Sequence, residues 1–126
     1  SALDTVREGR AKRIIKPGHI FSRIHVADIA QVLEASMARP HPGAAYNVCD
    51  DDPAPASDVI AFAAALPNKP PPPEVPFEQA ELSPMARSFY DDNKRVSNSR
   101  IKRELGVALQ CTSYRVGLPA ILSAGG

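Results

Sequence analysis

Residues 28–39 carry hydrophobic side chains at the spacing of one helical face. The spacing i, i+3, i+4, i+7 and i+8 is typical of an amphipathic helix. It is formed here by Ile29, Val32, Leu33, Ser36 and Met37. Asp28 precedes this stripe as a candidate N-cap. The helix is predicted to end near Arg39, because a residue before proline, here Pro40, is disfavoured in the helical conformation.

Other segments have the capping residues and apolar spacing of helices, namely 4–13, 59–66, 101–105 and 114–122. In the first, acidic residues come early and basic residues late, which suits the helix dipole. Ser57 or Asp58 is a candidate cap for the second segment, and Ser113 for the last. Gly106 occupies the position at which glycine commonly ends a helix.

Strand-like patterns are fewer. Residues 20–26 and 44–49 are short runs of β-branched, aromatic or other apolar residues, and 74–77 is a candidate edge strand, where proline is tolerated. A proline-rich connector occupies 67–73. The sequence predicts a single mixed α/β domain over 1–126, with few strands and several helices. Two or three strands are few for an independent sheet, so we expect them to pair with partners elsewhere.

Composition narrows the class of protein. The formal net charge is +1 and 23 % of residues are charged, which excludes a disordered chain and a strongly basic nucleic-acid binder. Basic residues are concentrated in 1–25 and 93–126, and acidic ones in 26–92. The apolar run 61–66 is far shorter than a membrane helix of about 20 residues. These features predict a protein without membrane association.

The number and spacing of the cysteines bear on the redox environment of the protein. Cys49 and Cys111 form no C-x-x-C pair and are too few for a disulfide framework. A reducing, cytoplasmic location is therefore expected. The three histidines lack the spacing of a metal site, so no metal is expected.

Several catalytic motifs are missing from the sequence. No G-x-G-x-x-G or G-x-x-x-x-G-K loop is present to hold phosphates, and no G-x-S-x-G turn supplies a nucleophile. His25 and Asp28 are either a packed histidine with a capping aspartate or a catalytic pair. Tyr90 and Lys94 have the Tyr-x-x-x-Lys spacing of an acid–base pair. We interpret that spacing as coincidence, because the adjacent Asp91 and Asp92 would raise the pKa of a tyrosine.

A second interpretation concerns residues 94–106, a short basic segment ending in Leu-Gly. It is similar to the recognition helix of a helix-turn-helix. The preceding scaffold helix is not evident and the whole chain is almost neutral, so nucleic-acid binding is the weaker alternative.

Three segments together resemble a known family. Residues 23–30 (RIHVADIA) resemble the R-x-H-V-x-D-[VIL]-A segment of the extended short-chain dehydrogenase/reductases, the NAD-dependent epimerase/dehydratase family. Residues 43–48 with Asp50 resemble the family's G-x-x-Y-N-V-x-D strand, and Ser57 begins the following helix. Residues 94–118 resemble its closing K-x-x-x-x-x-[KR]-x-[KE]-L-G … [ST]-x-x-x-G-L region.

The resemblance implies the C-terminal, substrate-binding portion of an extended Rossmann-type enzyme, without the dinucleotide-binding half. It implies no catalytic residue and no cofactor for this chain alone, with NAD or NADP in a full-length parent. Asp28 would be a structural cap. Nucleotide-sugar members carry arginine where this sequence has Phe21, four residues before His25, which argues against a sugar-nucleotide substrate.

The function expected from the sequence is therefore substrate binding within an NAD(P)-dependent epimerase/dehydratase-like oxidoreductase that is inactive without its other half. The alternative is a stand-alone binding or interaction domain derived from that family. The expected partners are a small-molecule substrate, for which an anionic compound is one candidate class, and a protein partner. The protein partner is either further copies of the chain or the missing Rossmann half. Self-association is expected because an uncovered apolar strand edge recruits another chain.

Residues 81–98 mix apolar surface with hydrogen-bond donors, a composition that suits a pocket wall. The predicted substrate-binding residues are Arg23, Arg87, Tyr90 and Lys94, with Arg23 and at least one of the others lining a common cleft. In the competing interpretation, Met85 and Phe89 belong to the core, and the cations of 81–98 pair with neighbouring aspartates on the surface.

Overall fold

The computed structural model of the chain describes residues 1–93 and 95–125. Within them the fold is mixed α/β, as predicted, with six α-helices and two short strands. In chain order these are α1 (Ala2–Arg7), β1 (Arg13–Ile15), α2 (Val26–Ala38), α3 (Ala56–Ala65), β2 (Glu74–Pro76), α4 (Pro84–Ser88), α5 (Ser99–Leu105) and α6 (Tyr114–Ser123). A 3₁₀ turn, Phe77–Gln79, follows β2 directly.

The two strands form a parallel pair in which Arg13 lies opposite Glu74. The side chains of these two residues form an ion pair at 3.2 Å. The predicted edge strand at 74–77 is confirmed, but the first helix, predicted over 4–13, is shorter, and β1 begins at Arg13. That helix ends at Arg7 because Gly9 takes the left-handed conformation, with φ of 70°, which the helical backbone does not allow.

Two hydrophobic clusters hold the described residues together. The first is built from α1, α3 and α6, and the second from α2 and α5 with the chain that follows α5. The buried members of the first are Leu3, Val6, Ala54, Val59, Ala63, Ala64, Tyr114 and Leu118. Those of the second are Val32, Ile101, Leu105 and Val107.

Neither 20–26 nor 44–49 forms a regular strand in the described residues, so both strand predictions are wrong. Phe21 makes an isolated antiparallel bridge with Ala54. The amide of Asp50 donates to the carbonyl of Arg23 at 2.7 Å. A ladder requires a neighbouring strand, and among the described residues the regular strands, β1 and β2, pair with each other and not with these segments.

The cap of α2 is His25 and not Asp28. The Nδ1 of His25 accepts the amide of Ala27 at 3.0 Å. Asp28 lies in the first turn, fully buried, and its carboxylate accepts the amides of Gln110 and Cys111 at 2.8 and 2.9 Å. The role of Asp28 is thus to tie α2 to the chain before α6. The predicted end of the helix before Pro40 is confirmed.

The other helix ends are partly as predicted. The caps predicted for α3, Ser57 and Asp58, lie inside it, because the helix begins directly after Pro55. The end of α5 at Gly106, with φ of 66°, and the cap of α6 by Ser113 are confirmed. No described helix combines the length and apolar character that crossing a bilayer requires.

Candidate functional site

Four aromatic rings meet where the parallel strands end. We call this group the Tyr90 cluster; its rings belong to His19, Phe21, Phe77 and Tyr90. The ring centroids of Tyr90 lie 5.0 Å from His19, 5.6 Å from Phe21 and 5.2 Å from Phe77. Because β1 and β2 are parallel, the segments that follow them leave the sheet at the same edge. This brings residues 16–21 and Phe77 together.

Two cations lie over the ring of Phe77. The Nζ of Lys16 is 4.8 Å from the ring centroid, and the guanidinium carbon of Arg87 is 4.7 Å from it. Lys16 also donates to the carbonyl of Tyr90, and Arg87 donates to the carbonyl of Ala80 at 2.9 Å. Contact with an aromatic face stabilises a cation and leaves its remaining N–H groups available to donate to another partner.

The segments around the cluster are tied to each other by hydrogen bonds. A ring nitrogen of His19 lies 2.8 Å from the carbonyl oxygen of Asp92. The amide of Ile20 donates to the side-chain oxygen of Asn93 at 2.8 Å. These bonds hold residues 90–93 against residues 16–20 and so restrict the position of Tyr90.

A cavity of about 230 Å³ opens beside the cluster. Its walls are mostly apolar, with Lys16, His19, Ser57 and Tyr90 as polar exceptions. The lining also includes Ile14, Ile15, Ile20, Pro17, Pro55 and Ala56. A small apolar cavity with a few polar groups is the usual form of a small-molecule site.

Burial raises the pKa of the Tyr90 phenol. The phenol is therefore protonated at neutral pH and is a hydrogen-bond donor. A raised pKa opposes the phenolate that an acid–base pair would use, in keeping with the interpretation of the Tyr-x-x-x-Lys spacing as coincidence. Lys94 itself lies outside the described residues.

Arg23 lies in a second cavity, of about 300 Å³, beside His25, Asp50 and Tyr114. Its Nη2 donates to the carbonyl of Ala54 at 3.0 Å, while its Nη1 is buried with no hydrogen-bond partner among the described residues. Burial lowers the pKa of the Arg23 guanidinium, and the charge of Asp50 partly offsets this. Burial likewise raises the pKa of the Asp50 carboxyl.

The structure divides the predicted binding residues. Arg87 and Tyr90 both contact Phe77 and belong to one site. Arg23 lines the other cavity, whose described walls include neither of them, so Arg23 shares no described cavity with Arg87 or Tyr90; the part of the expectation that concerns Lys94 lies outside the described residues. Substrate binding by Arg23, Arg87, Tyr90 and Lys94 stays a prediction.

The competing interpretation of residues 81–98 also needs correction. Met85 is 74 % exposed and Phe89 is 55 % exposed, so neither belongs to the core. Met85 lies in α4 and Phe89 directly after it. The sequence patterns did not predict this helix. Its N-cap is Ser83, whose hydroxyl accepts the amide of Ala86 at 3.1 Å.

The site residues that sequence patterns missed are Lys16, His19 and Phe77. Lys16 directly follows β1, and no strand was predicted over residues 13–15. Phe77 lies near His19 because β1 and β2 pair in parallel, and the sequence patterns did not predict that pairing.

The other candidate motifs have structural roles. The basic helix α5 buries Ile101 and Leu105, Arg100 stacks 5.0 Å from the ring centroid of Tyr46, and Lys102 pairs with Asp51. His25 and Asp28 each accept backbone amides, as described above, which favours the packed-histidine interpretation. No group of three or more potential metal ligands is found among the described residues.

Comparison with known proteins gives structural relatives only. No protein-family model matches the chain, and no curated protein matches it significantly. A functionally unknown conserved protein from Silicibacter pomeroyi matches with a TM-score of 0.93 and 61 % identity, over 98 % of this chain and 44 % of that one. RMD from Pseudomonas aeruginosa, solved in complex with NADPH, matches with a TM-score of 0.66 and 18 % identity, over 97 % of this chain and 39 % of that one.

The chain thus spans less than half the length of either solved protein. At 18 % identity, the second match establishes a shared fold and nothing about activity. The chain has the mixed α/β fold of part of an NADPH-complexed protein.

Proposed function

We propose that this chain is the substrate-binding portion of an NAD(P)-dependent oxidoreductase similar to the epimerase/dehydratases, and that it has no activity without a dinucleotide-binding portion. The observation that carries the proposal is the Tyr90 cluster: an apolar cavity lined by Lys16 and Tyr90 lies beside the ring of Phe77, over which Lys16 and Arg87 both lie. The fold shared with part of RMD, which was solved in complex with NADPH, is compatible with this proposal.

The cluster has the chemistry to hold a small molecule with an apolar body and an anionic group. The cavity walls would cover the body and exclude water, which strengthens the attraction between opposite charges. Lys16 and Arg87 would attract the anion. Tyr90, protonated because its pKa is raised, would donate a hydrogen bond that orients the ligand. The sequence neighbour Lys94 would add a further positive charge.

The experiment uses a chimera in which residues 1–126 replace the matched portion of the Silicibacter pomeroyi protein. NADPH consumption is measured against matched pairs of carbonyl compounds with and without a carboxylate. Arg87→Gln should raise KM for the carboxylate compounds by about tenfold, equivalent to about 1.4 kcal/mol, and leave NADPH affinity unchanged. Tyr90→Phe should raise KM for both members of each pair.

A matched control is Arg115→Gln. Arg115 is another arginine over an aromatic ring, 5.4 Å from the centroid of Phe62, but it is exposed and distant in sequence from the cluster. It should leave KM unchanged. Equal KM values for Arg87→Gln and the unsubstituted chimera, or a loss of NADPH affinity in Arg87→Gln, would contradict a substrate-binding role for the cluster.

The alternative function is a binding or interaction domain that works alone. The same chimera separates the two, since a domain that works alone needs no second portion and would give the chimera no NADPH-dependent turnover.

A further inference from the structure

The cavity that Arg23 lines is separate from the one beside the Tyr90 cluster. We call it the Arg23 cavity. The described walls of the two cavities share no residue. The volume of the Arg23 cavity, about 300 Å³, is at the lower end of the range of small-molecule sites. Much of its wall is apolar and comes from α3 and α6, through Val59, Leu118 and Ile121. The cavity is therefore a second place where a small molecule could bind.

The guanidinium of Arg23 has hydrogen-bonding capacity that the described residues do not use. Its Nη2 donates to the carbonyl of Ala54 at 3.0 Å. Its Nη1 is buried and has no hydrogen-bond partner in the described part of the chain. The ion pairs found among the described residues do not include Arg23. A buried charge without a partner is unfavourable, and buried donors are normally bonded. The guanidinium therefore favours an acceptor of negative charge in the cavity.

His25 contributes a second donor to the same cavity. Its Nδ1 accepts the amide of Ala27 at 3.0 Å, so the neutral ring carries its proton on Nε2. The adjacent ring carbon, Cδ2, would lie 3.3 Å from a Cβ at Gly117, and both residues line the cavity. The N–H of the ring is thus next to the wall that α6 forms. Arg23 and His25 together provide one charged and one neutral donor.

Asp50 restricts the charge of a ligand in this cavity. Its carboxylate is buried and lines the same wall as Arg23. One of its oxygens accepts the amide of Asp52 at 3.0 Å. A ligand with one negative charge gains from the guanidinium, but each further negative charge is repelled by Asp50. The arrangement favours a monoanion.

We propose that the Arg23 cavity binds a small monocarboxylate with an apolar body. The carboxylate would accept hydrogen bonds from Arg23 and His25, and the apolar body would lie against α3 and α6. Apolar walls strengthen the attraction between opposite charges, and charge-assisted hydrogen bonds are roughly twice as strong as neutral ones. The Tyr90 cluster takes no part in this site, so the inference does not depend on the proposed function.

The test uses benzoate as the probe and benzamide as its uncharged counterpart of similar size and shape. Each is titrated into the isotopically labelled 126-residue chain, and the backbone amide signals are followed by NMR. Benzoate in the Arg23 cavity should shift the signals of residues 23–25 and 113–118 in a saturable way. The signals of residues 16–20 and 90–93 report on the Tyr90 cluster. One spectrum therefore distinguishes binding at the two sites.

Arg23→Gln should weaken the binding of benzoate at residues 23–25 by at least about tenfold, because it removes the guanidinium. Arg115→Gln is the matched control: Arg115 is exposed and lies over the ring of Tyr114, at 5.1 Å from its centroid. This control should leave the affinity unchanged. Benzamide should bind the unsubstituted chain at least about tenfold more weakly than benzoate, since it lacks the charge.

Three results would each overturn the proposal. The first is equal benzoate affinity in Arg23→Gln and Arg115→Gln. The second is equal affinity of the unsubstituted chain for benzoate and benzamide. The third is the lack of a saturable shift at residues 23–25 with millimolar benzoate. If benzoate shifts the signals of residues 16–20 and 90–93 alone, this inference fails while the proposed function stands.

A second variant decides the matter if Arg23→Gln does not fold. Asp50→Asn keeps the shape of the side chain and an oxygen that can accept the amide of Asp52, and it leaves Arg23 in place. Because it removes a charge that opposes the anion, benzoate should bind several-fold more tightly and benzamide as before. Unchanged or weaker benzoate binding by folded Asp50→Asn would contradict the proposed site.

Discussion

The carboxylate of Asp28, in the first turn of α2, accepts the backbone amide of Cys111 at 2.9 Å. The second carboxylate oxygen accepts the amide of Gln110 at 2.8 Å, and the side chain is fully buried. Asp28→Asn replaces one acceptor with a donor and leaves a buried amide unpaired. We expect it to lower the free energy of unfolding by about 1–3 kcal/mol, measured by urea denaturation.

Glu34→Gln on the same helix is the control for that variant. Glu34 is exposed, so the loss of its charge should change stability by less than about 0.5 kcal/mol. Equal effects of the two substitutions would show that the Asp28 bonds do not hold α2 to the chain before α6.

Gly117→Ala should destabilise the protein even though Gly117 lies within α6. Glycine to alanine in a helix usually adds about 1 kcal/mol of stability. Here the added Cβ would lie 3.3 Å from Cδ2 of His25. That ring cannot move freely because its Nδ1 caps α2. We expect a lower Tm by calorimetry.

The same change is then made in a His25→Ala background. Without the ring, Gly117→Ala should become neutral or stabilising. If Gly117→Ala raises Tm in the unsubstituted protein, the contact between His25 and α6 is not as tight as described.

The contribution of Asp51 to the free energy of unfolding should depend on pH. Hydrogen bonds from Asn98 and Lys102 lower the pKa of the Asp51 carboxyl. A lowered pKa in the folded state stabilises the protein above the unfolded-state value of about 3.9, and the contribution is lost as pH falls through the lower folded value. The pair is partly exposed, so the gain is under about 1 kcal/mol.

Asp51→Asn should therefore lower the free energy of unfolding at pH 7, and the difference from the unsubstituted protein should shrink as the solution is acidified below about pH 4. Urea denaturation across pH measures this, with the exposed Glu81→Gln as control. A difference that grows on acidification would have the wrong sign for this account.

The sequence correctly predicted those helix ends that depend on interactions within a few residues. Gly106 ends α5 and Ser113 caps α6 because a left-handed glycine and a capping hydroxyl act within a few residues. Residues 44–49 have the composition of a strand but lack a neighbour to pair with, since strand pairing is a tertiary property. The helical period correctly predicted α2, but the period alone does not say which of its apolar positions are covered: Val32 is buried, whereas Leu33 and Met37 are exposed.

The candidate site was predicted in part for the same reason. Arg87 and Tyr90 were selected from the composition of one segment, and both contact Phe77. Arg23 instead lines a different cavity, beside Asp50 and Tyr114. Lys16 could not be found, because its position depends on the pairing of β1 with β2, which are about 60 residues apart in sequence.

The central claim is that this chain forms a substrate site but no dinucleotide site, and calorimetric titration with NADPH tests it most directly. The glycines lie at 9, 18, 43, 106, 117, 125 and 126, so no glycine-rich turn opens a helix to hold a pyrophosphate. The account predicts no saturable binding by the 126-residue chain at micromolar concentrations and saturable binding by the folded chimera. Saturable micromolar binding by the 126-residue chain, or none by the folded chimera, would contradict it.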